Sequence, residues 1–337
     1  MALRFCDGFD HYATADITKK WDLVNACSIN GAYGRFGTPG LYVNYYMYKV
    51  FDNQATWIVG MGFQPNAWVN NVPDVSIIDN GTCQVDLRYD NNHRFYVTRN
   101  GTTLGSGSMV LRSPHWYYIE LKVLIDNTNG GVWLRINGQD EIRLGAYALT
   151  PTSLDTQATA NAYANQIWLG SEASANYLCD DLYICDATGS RNNDFLGDVR
   201  VQTILPSADG GTNEWTASAG SRWECVDDPT PDSVTDYISE DTAGQKNTFA
   251  FGNVTPTSGT VKGTQILIAA RKDDAGSRSI APVYGNGTPA SDVDGATVSV
   301  GDSYIYYSEI KEQDPVAAAD WTIASVNAAE FGVRLVS

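Results

Sequence analysis

The sequence predicts an all-β chain made of two β-sandwich domains in series. Three observations predict it. Asn-Gly steps recur at Asn30-Gly31, Asn80-Gly81, Asn100-Gly101, Asn129-Gly130, Asn137-Gly138 and Asn286-Gly287. Such steps tolerate the positive φ angles of the tight turns that join antiparallel strands. Between them, apolar residues alternate with period two. No stretch carries the spacing of a long amphipathic helix, and no repeat of 20–50 residues is present. Composition agrees: 19 Tyr, 9 Trp and 31 Gly stand against 4 Met, and strands favour aromatics while hairpins consume glycine.

In chain order, residues 85–89 and 94–98 read as a hairpin across Asn91-Asn92. Tyr117, Ile119, Leu121, Val123 and Ile125 share one strand face, and Val132, Leu134 and Ile136 follow after an Asn/Gly-rich turn. That is a meander. Residues 155–165 are Ala-rich but too poor in large apolar residues to dock as a helix, so a loop is expected. Residues 177–185 read as a strand. From about Phe195 the texture shifts to Gly, Asp, Pro and Thr, which places the domains at 1–190 and 195–337. Strands resume at 248–254, 264–271, 297–300 and 303–310, and residues 325–330 suit a single helical turn. Ile266-Leu267-Ile268-Ala269-Ala270 is apolar on both faces, as in a central strand covered on both sides.

Charge narrows the partners. Lys and Arg total 22 against 39 Asp and Glu, a formal net charge of −17. A surface of that sign repels phosphate, so neither nucleic acid nor an anionic membrane is expected as a partner. The N-terminus lacks a basic segment followed by an apolar one, so no secretory signal is read there. No apolar run reaches the ~20 residues that span a bilayer. Cys6, Cys27, Cys83, Cys179, Cys185 and Cys225 have no CxxC spacing and read as reduced, buried small residues. Cys179 and Cys185 are six positions apart, which puts them on one strand face and out of disulfide reach.

Signatures of chemistry are sparse. His11, His93 and His115 are far apart and fit no metal-ligand spacing. There is no GxSxG elbow, no GxxxxGK[ST] loop and no strand-GxGxxG-helix unit. The Glu-x-Asp-x-x-Glu triplet of sandwich glycosidases is also missing, because Glu312-Gln313-Asp314 is followed by Ala317 where the second Glu belongs. The expectation is therefore a chain that is not an enzyme, with no catalytic or metal residues and no cofactor. Asp180-Asp181, Asp227-Asp228 and Asp273-Asp274 offer hard oxygen ligands of the kind that hold Ca²⁺. Neighbouring side chains on a regular strand point oppositely, however, so Asp180 and Asp181 share an ion only if their strand is irregular. The sequons at Asn80, Asn100, Asn253 and Asn286 read as turn residues. Two aromatic clusters remain, Tyr42, Tyr45, Tyr46, Tyr48 and Phe51, and Tyr304, Tyr306 and Tyr307. Exposed rings of this kind stack on sugars or anchor protein contacts, whereas inward ones are core.

A resemblance follows from the opening Phe9-Asp10-His11-Tyr12, Trp21, the hairpin Thr98-Arg99-Asn100-Gly101, and Trp116-Tyr117-Tyr118-Ile119-Glu120-Leu121-Lys122. The strand Asp180-Asp181-Leu182-Tyr183-Ile184-Cys185-Asp186 continues it. So do the segment from Asn193 to Val201 and the tail from Trp321 to Val333. Together these residues resemble tailed-bacteriophage virion proteins with a concanavalin A-like or laminin-G-like jelly-roll domain. The resemblance implies two jelly-roll sandwiches, the first concanavalin A-like. It implies a non-enzymatic virion structural protein, a capsid decoration or a tail- or neck-associated component, assembled in the host bacterial cytoplasm. Its partners would be major capsid or tail proteins and further copies of itself, through loops such as 207–220. The alternative is a carbohydrate- or receptor-binding module of a tail appendage, which contacts a host-surface glycan. The resemblance carries over no binding residue.

Overall fold

A computed structural model describes residues 2–337 except 67, 68, 70 and 233. The chain is all-β, as the sequence predicts, with sandwich packing in two compact units, Met1–Val201 and Gln202–Ser337. Among the described residues no helix is long and apolar enough to cross a membrane.

Unit 1 contains thirteen strands: β1 (Leu3–Asp7), β2 (Leu23–Asn30), β3 (Gly40–Gln54), β4 (Thr56–Pro65), β5 (Pro73–Asp79), β6 (Thr82–Tyr89), β7 (Phe95–Arg99), β8 (Thr102–Ser106), β9 (Tyr117–Leu124), β10 (Gly131–Ile136), β11 (Gln139–Gly145), β12 (Ala164–Gly170) and β13 (Tyr177–Asp186). Their order is β11-β10-β9-β4-β13-β3-β12-β5-β6-β7-β8, with β1 on β13 and β2 on β3. Only Tyr177–Cys179 of β13 pair with β3, and β1 takes over farther along. The sheet folds there into two layers. Phe63 of β4 meets Phe95 of β7 across the core, with ring centroids 5.5 Å apart, and the Trp57 indole of β4 donates to the Ala164 carbonyl of β12 at 3.0 Å.

Turn chemistry explains the hairpins. Asn80-Gly81, Asn100-Gly101 and Asn137-Gly138 hold both residues at positive φ, the form that two-residue hairpins require. Asn30-Gly31, Asn129-Gly130 and Asn286-Gly287 do not pair two positive φ angles, and they lie in other turns and loops. Residues 155–163 form a loop, as expected. Gln84 secures it, donating from Nε2 to Thr159 Oγ1, Asn161 O and Tyr163 O at 2.8–2.9 Å.

One irregularity in β13 corrects two expectations. Asp180 faces Gly62 and Tyr183 faces Gly60, so two residues of β13 oppose one of β4. Asp181 adopts φ 51°, which marks a β-bulge. The extra residue reverses the alternation. Cys179 opposite Phe63 and Cys185 opposite Ile58 therefore lie on opposite faces, not on one. Asp180 and Asp181 also turn toward a common neighbour, Arg35. The six cysteines are free thiols.

Unit 2 is built on a sheet ordered Pro206–Asn213, Lys246–Phe251, Glu330–Leu335, Arg278–Gly285 and Val293–Asp294, with Val298–Val300 also on Arg278–Gly285. A separate ladder joins Thr264–Ala270 to Ile305–Lys311. The two pack over Trp215, Ile280, Val333 and Leu335 toward one end of a shared face and Ile266, Tyr284, Trp321 and Phe331 toward the other. The run from Ile266 to Ala270 is thus not a central strand. It has one partner, and only Ile266 of the five is buried. The single helical turn near the C-terminus is present as Ile323–Ala328, capped by Thr322.

The N-terminal motif is structural. Asp7 is wholly buried and accepts hydrogen bonds from Phe9 N at 3.0 Å, Tyr12 Oη at 2.6 Å and Trp21 Nε1 at 2.9 Å. Buried Lys20 lies 3.1 Å from its Oδ1 and approaches His11 Nε2 at 3.4 Å. Burial pushes the Asp7 carboxyl up, but Lys20, His11 and the hydrogen bonds hold it below its ordinary value. Burial and Lys20 press His11 down to about 3, so it stays neutral. Removing one partner of a buried ion pair strands the other charge and costs about 3–5 kcal/mol. Asp7→Asn is expected to lose roughly that much stability, read as a lower urea midpoint, whereas a surface change such as Asp302→Asn leaves the midpoint in place.

Candidate functional site

The face of unit 1 that points away from its core carries two different surfaces, one over each layer. On the β4-β9-β13 side the surface is sealed by the chain itself. Tyr183 lies over Gly60, where an added Cβ would sit 2.1 Å from its ring, and the Arg35 side chain lies over Gly62. The Tyr183 hydroxyl donates to Glu120 at 2.6 Å. Residues 194–201 then fasten on top: Leu196 N donates to Tyr183 Oη at 3.1 Å, Gly197 N to Glu120 at 2.8 Å, and Val201 N to Asp181 at 2.8 Å. Phe195 fits between Trp133 and Arg135. Arg35 gathers the acids, donating to Asp181 at 2.9 Å and Asp198 at 2.8 Å, while its backbone N donates to Asp180 at 2.7 Å. Burial, followed by the charge of Asp181, raises the Asp180 carboxyl. These acids are committed to holding chain segments together.

The β2-β3-β12-β5-β6-β7 side is different. Register sets a row across seven strands: Leu23, Tyr48, Trp168, Ser76, Asp86, Thr98 and, on β8, Thr103. Tyr46 flanks it on β3. Trp168 stacks on Tyr46 at 4.9 Å with rings 6° apart, and on Tyr48 at 5.0 Å and 15°. All three rings are half-buried, with apolar Met47, Ile167 and Leu169 alternating into the core beneath them. Each such pair contributes about 0.5–1.5 kcal/mol beyond area burial, so the strip is stiff. Stacking covers part of each ring's face, and the parts left open form a rigid, partly exposed aromatic surface with hydroxyls at its edge.

Beside the strip lies a polar patch. Asp86 is buried and accepts from Thr98 Oγ1 at 2.6 Å and from Arg88 through both oxygens. Asp74, on β5, is fully buried, and among the described residues neither of its carboxylate oxygens has a hydrogen-bond partner. Burial and the charge of Asp86 raise it well above the carboxylate range, with Arg88 opposing. Both effects favour its protonated form.

The structure distributes the other sequence candidates. His93 and His115 lie in turns, well apart in the chain from His11 in its buried network. Asp274 is paired with Arg278 at 2.6 Å. Asp228 gathers with Asp232 and Asp236, their oxygens within 4.8 Å of one another, and not with Asp227. Asp314 accepts from Val316 N and Ala317 N in a turn. Tyr304 lies under Arg271, and Tyr307 packs into the unit 2 core. Tyr42 donates to Asn176 at 2.9 Å, and Phe51 packs on Trp57. Of the first aromatic cluster, Tyr46 and Tyr48 form the strip. Its centre, Trp168, was missed by the sequence reading, although Gln166-Ile167-Trp168-Leu169 alternates as an outward-inward strand.

No protein-family model and no curated protein matches this sequence. Among solved structures, the chain is similar to domain 4 of an extracellular arabinanase from Geobacillus stearothermophilus, solved with arabinotriose. The TM-score is 0.37 at 13% identity, over 55% of this chain and 92% of that one. It is also similar to a Trypanosoma rangeli sialidase, with TM-score 0.34 at 11% identity, over 47% of this chain and 26% of that one. An alginate lyase of polysaccharide lyase family 7 matches with TM-score 0.27 at 10% identity, over 48% and 80%. The chain spans about a quarter of the length of the sialidase it matches. These enzyme names overturn the expectation that the chain is not an enzyme. The missing Glu-x-Asp-x-x-Glu triplet does not decide that question, and no activity is carried over at such identities.

Asp74 gives a pH prediction. Its folded-state carboxyl keeps its proton to higher pH than the unfolded chain does, so folding loses stability as pH rises above about 4. Asp74→Asn removes this dependence. The variant is expected to be about 1–3 kcal/mol more stable than the parent at pH 8 and equal to it near pH 3, by thermal or urea unfolding. Equal stability at both pH values would refute the neutral buried acid.

Proposed function

We propose that unit 1 binds carbohydrate on the outward face of β3 and β12, with Tyr46, Trp168 and Tyr48 as the platform. One observation carries the reading: three half-open rings stacked within 5.0 Å on a sheet face whose opposite side is core. Large rings left partly in water have apolar surface still to cover. The C–H faces of pyranose or furanose rings match them, and the sugar hydroxyls keep their hydration at the rim. The Tyr46 and Tyr48 hydroxyls and the Gln166 amide supply polar groups beside the strip.

The setting, a bacteriophage particle with capsid or tail proteins as partners, is a proposal resting on the resemblance of the Phe9-Asp10-His11-Tyr12 segment and its companions. Detection of the protein by mass spectrometry in purified particles supports that setting, and its absence from them removes it.

A glycan array followed by titration calorimetry tests the binding reading. Trp168→Ala is expected to weaken binding at least tenfold while near-ultraviolet and far-ultraviolet circular dichroism report a folded chain. Tyr46→Ala is expected to weaken it several-fold. Binding by a folded Trp168→Ala at parental affinity would place the site elsewhere.

A further inference from the structure

Two strands from Trp168, on the same sheet face, β6 carries Arg88, and the state of that cation bears on which sugars the face accepts. Arg88 donates from Nε to Asp86 Oδ1 and from Nη2 to Asp86 Oδ2, both at 2.7 Å. Its Nη1 donates to the Asn71 carbonyl at 3.1 Å. This is a fork-on-carboxylate pair, the strongest arrangement an arginine makes. Asp86 in turn is buried and further anchored by Thr98, so the clamp is fixed. The pair is neutral as a whole, and each of the three guanidinium nitrogens already has an acceptor.

The described residues that alternate onto this face in the six strands hold no second cation. Around the platform they are Leu23 and Asn25 on β2, Tyr46, Tyr48 and Val50 on β3, Gln166 and Trp168 on β12, Ser76 and Ile78 on β5, Cys83, Asp86 and Arg88 on β6, and Tyr96 and Thr98 on β7. A ligand carboxylate or sulfate placed here would lose water and gain no uncommitted positive charge. It would also approach a chain of net charge −17, whose field opposes it. A neutral sugar meets neither obstacle, since stacking and hydroxyl contacts need no charge.

We propose that this face selects neutral glycans and rejects carboxylated or sulfated ones, and that Asp86 is the residue responsible, because it holds Arg88. The proposal rests on the glycan-binding reading above and adds the ligand class to it.

The test uses the full chain on an array of paired oligosaccharides. N-acetyllactosamine is printed beside its 3′-sialylated form, and neutral xylo-oligosaccharides beside their glucuronate-substituted forms. Pairs that bind are then followed by calorimetry. In 50 mM NaCl the acidic member is expected to bind at least tenfold more weakly than its neutral partner. In 500 mM NaCl the gap narrows, because salt screens the opposing field. Asp86→Asn frees the guanidinium and is expected to shrink the low-salt gap at least threefold. Arg88→Gln leaves the gap in place or widens it, and supplies the comparison if Asp86→Asn does not fold. Equal or tighter binding of the acidic members by the parent chain overturns the neutral preference alone and leaves glycan binding intact. Binding of no member of any pair overturns the glycan reading, and the proposal falls with it.

Discussion

Strand β13 carries one residue more than the stretch of β4 it faces, and the arrangement of unit 1 depends on that count. The strand is buried along its whole length and serves three neighbours, β4 throughout, β3 at its start and β1 at its end. Alternation on a strand has period two, so a one-residue change moves every later side chain to the other face. With the extra residue, Asp180 and Tyr183 both leave the core, while Ile184 and the small Cys179 stay buried. Gly60 and Gly62 of β4 lack the side chains that would occupy the same space. Tyr183 and Arg35 fill it, and residues 194–201 are bonded to them. Without the bulge Tyr183 would point inward, and the anchor for those residues would be gone.

How much of this was legible follows from the range of each signal. Hairpins are local, and the Asn-Gly chemistry at Asn80, Asn100 and Asn137 marks them directly. The meander from Tyr117 to Ile136 is also local, since β9 and β10 pair across a short turn. The bulge is not local. Its sequence trace is an acidic doublet inside an otherwise apolar strand, which reads equally as loop charge or as a metal ligand set. Cys179 and Cys185 were placed on one face because the count assumed an unbroken strand. The run from Ile266 to Ala270 misled for a related reason. Ile266, Ile268 and Ala270 alternate onto one face and serve both apolar clusters of unit 2, while Leu267 and Ala269 on the other face are only partly buried.

The candidate site was half legible. Tyr46 and Tyr48 stand out in a tyrosine-rich segment, but nothing in that segment says which rings are outward. Trp168 is 120 residues farther along than Tyr48, and only the register of β12 against β3 brings the rings together. Ser76, Asp86 and Thr98 each look like ordinary polar residues of separate hairpins. Their alignment is a property of four successive strand pairings, and a one-residue slip in any of them would dissolve the row.

The polar side chains of unit 1 show the rule that sets this site apart. Asp7 is buried with a lysine and three further donors, and Asp181 with an arginine and a backbone N–H. Asp86 is buried with an arginine and a hydroxyl. In each case the charge removed from water is matched by an opposite charge and by hydrogen bonds, the condition under which burial is tolerated. Asp74 has no such match, because the nearby cation already gives both arms of its fork to Asp86. The third guanidinium nitrogen of Arg88 donates to the Asn71 carbonyl. Asp86 is clamped, while burial and the charge of Asp86 raise the Asp74 carboxyl well above its ordinary value. The Arg88–Asp86 pair beside the aromatic strip is an ion pair without surplus charge, inside a strongly acidic chain. The recognition proposed for this face therefore falls to ring surfaces and hydroxyl hydrogen bonds, the interactions that long-range charge neither assists nor disturbs.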